Sequence, residues 1–68
     1  MSKSWEVFYN EISPRIKEVE GLEFKMTCYT PKDWDGVGVN TNKGMIHILS
    51  DGTVIDENNL LKGEILND

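Results

Sequence analysis

The apolar positions of this chain follow one period up to Gly21 and another after it. Trp5, Phe8, Tyr9, Ile12, Ile16 and Val19 recur at helical spacing, while Glu6, Asn10, Glu11, Lys17, Glu18 and Glu20 take the remaining faces. This pattern predicts an amphipathic helix with Ser2 or Ser4 as N-cap and Gly21 at C′. Pro14 falls inside it, where proline removes a hydrogen bond and crowds the carbonyl of Asn10. Either the helix kinks there, or Ser13 caps a second helix with Pro14 at its first position. The stripe keeps its phase across Pro14, so one kinked or stepped element is expected, packed as core on a sheet.

After Gly21 the period is two. Leu22, Phe24, Met26, Cys28 and Thr30 alternate with Glu23, Lys25, Thr27 and Tyr29, the mark of a half-buried strand with Phe24 and Met26 inward. Cys28 shares that side and reads as a small buried hydrophobe rather than a reactive thiol. Pro31 to Gly36 reads as a polar turn. Val37, Val39 and Thr41 then form a short strand whose other face, Gly36, Gly38 and Asn40, has almost no side chain.

Asn40 to Gly44 turn into the last hairpin, Met45 to Asp56, whose two apolar runs flank Asp51-Gly52. That dipeptide suits a two-residue type I′ turn. The register would set Ile48 against Ile55 and His47 against Asp56. Ile46, Ile48 and Ile55 would then share one side, with His47, Leu49, Val54 and Asp56 on the other. The tail, Glu57 to Asp68, reads as a short helix capped by Asn58 or Asn59, or as an edge strand. The expected fold is a single α+β domain over residues 1–68. Its Pro-kinked amino-terminal helix packs on a four-stranded antiparallel β-meander.

Charge narrows the partners. Twelve acidic against seven basic residues give a net charge of −5, with no basic stripe to grip a phosphate backbone, so no direct nucleic-acid binding is expected. The surplus suits a partner protein with a basic patch. One cysteine cannot form an internal disulfide, which favours a reducing compartment. No run approaches the ~20 apolar residues of a spanning helix. A cytoplasmic protein without membrane attachment is the expectation.

Catalytic and cofactor chemistry finds little support. One cysteine and one histidine cannot make a structural zinc site within a single chain. Asp33-x-Asp35 resembles the start of a calcium loop, but Val37 and Gly44 occupy its fifth and twelfth positions, so the match fails. Gly36-Val37-Gly38 lacks the third glycine and the following helix of a phosphate cradle. A His47–Asp56 pair could orient an imidazole, but the favoured reading is a cross-strand polar pair on a solvated face, contributing up to ~1 kcal/mol. No cofactor is expected, and no enzyme.

Trp34 stands out. Flanked by Asp33 and Asp35, it has the surroundings of an interface anchor, against a blander reading as a lid folded over the sheet. Tyr29 and Lys25, on the outward side of the first strand, would extend that surface. The leading expectation is a small acidic binding module, of the kind that serves as an inhibitor or regulator encoded by phages and mobile elements. Alternatives are an acidic nucleic-acid mimic, or an oligomer binding a nucleotide against Gly36, Gly38 and Asn40. A homodimer is expected through the Leu49 and Val54 face or through a free sheet edge.

Overall fold

In the computed structural model, which describes residues 3–61, the amino-terminal helix passes Pro14 without breaking. It is α-helical over Lys3–Val7 (α1), widens into a π-helical turn over Phe8–Ile12, and is α-helical again over Ser13–Glu18 (α2). The Ser13 N–H donates to the Phe8 carbonyl, five residues back, the spacing that defines a π turn. This wide turn lies directly ahead of Pro14, where an ordinary turn would press the ring on the Asn10 carbonyl. The expected step at Pro14 is thus a widened turn.

That turn decides which face is buried. Ser4, Phe8, Ile12 and Ile16 are the buried helical residues, spaced strictly by four. At 3.6 residues per turn such a repeat drifts by about 40° each step, and the wider turn cancels much of that drift. The buried line is therefore narrower than the sequence stripe. Tyr9 lies 65% exposed, and Trp5, expected in the core, is 37% exposed.

The sheet is an antiparallel meander in the order β1 (Phe24–Thr30), β2 (Asp33–Thr41), β3 (Gly44–Ile48), β4 (Val54–Ile55). Val37 pairs with Ile48 and Val39 with Ile46. These four form the floor of the core beneath Phe8, Ile12, Ile16 and Leu22, with Val7, Val19, Val54, Leu60 and Leu61 around it.

Three local features differ from the sequence reading. Between Phe24 and Met26 the pairing shifts: Phe24 faces Thr41 but Met26 faces Asn40, so Lys25 is the extra residue of a β-bulge. Beyond it the faces exchange. Thr27 lies opposite the core residue Val39, and Met26 and Cys28 turn to the far side of the sheet, both exposed. Met26 and Cys28 are therefore not inward, and Phe24, beside Phe8, is 47% exposed.

The polar turn is shorter than expected. Thr30 pairs with Asp33, so only Pro31-Lys32 turn, and Asp33 to Gly36 already belong to β2. The next pair is Cys28 with Gly38, which sets Tyr29 alone against the stretch Trp34 to Val37.

The β3–β4 hairpin is slipped by one residue. His47 faces Ile55 and Ile48 faces Val54. Leu49 N–H donates to Thr53 O (2.8 Å) and Gly52 N–H to Leu49 O (2.9 Å), leaving Ser50, Asp51 and Gly52 as the loop. Gly52 alone in it has positive φ, 96°, as in a three-residue loop that ends in a left-handed glycine. A one-residue slip exchanges faces. Val54 now packs against the core, which removes the proposed Leu49 and Val54 dimer face, and Ile55 joins His47 instead of Ile48. Asp56 moves past His47 and caps the following turn, its carboxylate accepting Leu60 N–H (2.9 Å) and Leu61 N–H (2.8 Å). The cap is Asp56, not Asn58 or Asn59. Residues 62–68, most of the expected carboxy-terminal helix or edge strand, lie outside the described residues.

Candidate functional site

The tip of the β1–β2 hairpin is built by small, specific restraints. Asp33 accepts Ser50 N–H (2.8 Å) and Asp35 N–H (3.1 Å), tying the tip to the β3–β4 loop. The Ser50 backbone bond first, then the Ser50 side chain and the Asp35 N–H, hold the Asp33 carboxyl below the usual carboxylate range. At Gly36 an added Cβ would lie 2.4 Å from the Ile48 carbonyl oxygen, a close approach of backbones that only glycine permits. Ser4 Oγ donates to the Asp35 carbonyl (3.2 Å), fixing the same segment from the helix.

These restraints hold Trp34 outward. It is 87% exposed, and its ring stacks on Tyr29 with centroids 6.1 Å apart and planes 14° from parallel. Asp33, Trp34, Asp35 and Tyr29 are thus brought together, and the lid reading of Trp34 is excluded. Lys25 is exposed at the bulge, four residues from Tyr29, about 13 Å away at strand rise, and does not join them.

His47 has a different partner from the one expected. It is buried, its Nδ1 sharing a 2.6 Å hydrogen bond with the Thr30 hydroxyl, which also accepts Lys32 N–H at 3.3 Å. The pair bridges β1 and β3 over β2, with Thr30 against Gly36 and His47 facing Gly38. Cys28 Sγ accepts Asn40 Nδ2 at 3.3 Å.

A second surface escaped the sequence reading. Between the helix and β1 runs an open groove of about 610 Å³, lined by Trp5, Phe8, Tyr9, Ile16, Leu22 and Phe24, with Ser13, Lys17, Glu23 and Thr27 also along it. Trp5 stacks on Tyr9 (5.8 Å, 28°), and Phe8 meets Trp5 edge-on (5.8 Å, 90°) and Phe24 at a tilt (5.8 Å, 45°). A helix about 10 Å wide covers roughly two strands spaced ~4.8 Å apart, so a single helix leaves an outer strand overhanging. The signal was the adjacency of Phe8 and Tyr9, which no narrow helical face can bury together.

Compared with protein-family models, curated proteins and solved structures, the chain gives no match. Among the described residues no helix is long and apolar enough to cross a membrane.

Proposed function

We propose that the protein is a non-enzymatic binding module that docks on a basic surface of another protein through Trp34 and Tyr29, flanked by Asp33 and Asp35. The observation behind this reading is the 87% exposure of a tryptophan whose ring is nonetheless held by stacking. An aromatic ring buries roughly 150–250 Å² on docking, worth about 4–6 kcal/mol before ordering costs. A ring already held in place loses less freedom on binding. Its open face suits an arginine or lysine of the partner, a cation–π contact of about 0.5–2 kcal/mol. The net charge of −5 steers a basic partner toward such a surface.

A small acidic binder of this kind fits an inhibitor or regulator, as mobile elements and phages encode. The test is capture from host lysate by wild type and Trp34→Ala side by side, followed by titration of the captured partner. The expected result is loss of the partner with Trp34→Ala and weaker wild-type binding as salt rises. Equal capture by both proteins would remove Trp34 as the anchor. Loss on neutralising Glu6, Glu11 and Glu18 instead would point to mimicry of nucleic acid.

A further inference from the structure

We propose that the outer edge of β1 pairs antiparallel with the same edge of a second copy, joining two four-stranded sheets into one beside the aromatic groove. The strand order leaves β1 and β4 at the edges. β4 is blunted by its two-residue length, whereas β1 is seven residues long; its bulge and lysine sit at one end, at Lys25, and leave the run from Met26 as a row of backbone donors and acceptors facing outward. Apolar surface lies on both sides of that edge: Phe24 (47% exposed) on the helix side, Met26 (57%) on the other. Trp5 and Tyr9 continue it across the groove.

Charge selects a second copy as the occupant. The chain carries −5, yet β1 has no carboxylate and one lysine. The π turn, both α-helical segments and β2 each contain at least one aspartate or glutamate. β3 and β4 also lack carboxylates, but β3 lies inside the sheet and β4 is two residues long, so β1 is the edge where two copies meet without opposing negative charges, while a basic partner is drawn to Asp33 and Asp35. A two-fold axis at Thr27, clear of the bulge at Lys25, sets Met26 opposite Cys28 on the far side of the sheet and Thr27 opposite its own copy, with no like charges paired. Both helices then lie on one side of the joined sheet.

Sedimentation of the full chain from about 5 to about 500 µM is expected to show a monomer–dimer equilibrium. Phe24→Glu is expected to shift it toward monomer with an unchanged circular dichroism spectrum. Register is read by disulfide trapping. In a Cys28→Ser background, Thr27→Cys places two thiols opposite each other at antiparallel Cα spacing, within disulfide range. It is expected to cross-link at least about tenfold faster than Glu11→Cys, a site on the exposed helix face. Monomer alone throughout, or Thr27→Cys trapping no faster than Glu11→Cys, would overturn the proposal. So would a monomer whose β1 edge is instead taken by an unrelated extended peptide.

Discussion

Gly36 is where a single methyl group should do most damage. Its added Cβ would stand 2.4 Å from the Ile48 carbonyl oxygen, 2.6 Å from Thr30 Cγ2 and 3.3 Å from Asp33 Cβ. The first neighbour is backbone of a buried core strand, and no rotamer change relieves it. Gly38 supplies the internal comparison. Its added Cβ would lie 2.2 Å from Met45 Cε, the end of a flexible side chain that can swing away, and 3.1 Å from the Tyr29 carbonyl oxygen. Overpacking costs typically about 1–3 kcal/mol and occasionally more. Gly36→Ala is therefore expected at or above about 3 kcal/mol, and Gly38→Ala at about 1–2. A domain of this size has roughly 3–10 kcal/mol to lose, and each kcal/mol moves Tm by roughly 4–8 °C. Urea unfolding followed by circular dichroism measures both variants. Adding Met45→Ala should recover part of the Gly38→Ala loss and none of the Gly36→Ala loss. Gly36→Ala proving as stable as Gly38→Ala would refute the close approach that sets Trp34 outward.

Thr30→Val removes the partner of a buried imidazole and is expected to cost about 1–3 kcal/mol in thermal unfolding. Asp56→Ala leaves the Leu60 and Leu61 N–H groups without their acceptor. It should cost about 1 kcal/mol and speed hydrogen exchange at those amides. Asp33 and Asp51 are both held below the ordinary carboxylate value, Asp33 chiefly by Ser50 N–H and Asp51 chiefly by the Thr53 side chain. Their stabilisation is complete above the unfolded carboxylate pKa and is lost as pH falls through the lowered folded values. Acid titration of stability should therefore be shallower for Asp33→Asn than for wild type. Trp34→Ala should leave stability within about 0.5 kcal/mol of wild type, since the ring is almost wholly in water.

The elements and their order were legible because period and punctuation agreed: a helical stripe to Val19, alternation after Gly21, and turn residues at Pro31, Gly44 and Gly52. Ile46 and Ile48 emerged as core for the same reason. What failed was register. The bulge at Lys25 has no glycine or proline to announce it, and alternation through Thr30 looks unbroken, so Met26 and Cys28 were placed on the wrong face. Asp51-Gly52 permits two- and three-residue loops alike, and that single residue separates His47 from Asp56. For the site, the exposed Trp34 among acids was readable from composition. Its stacking on Tyr29 depends on the irregular pairing of β2, which no local sequence pattern encodes.

Between Phe8 and Ser13 the number of residues matters as much as their identity. Excising Asn10 would let this stretch close into ordinary helix, in which the Pro14 ring would press on the carbonyl four residues back. The wide turn thus makes room for a ring: one count too few, and the proline meets a carbonyl although every neighbour remains in the chain.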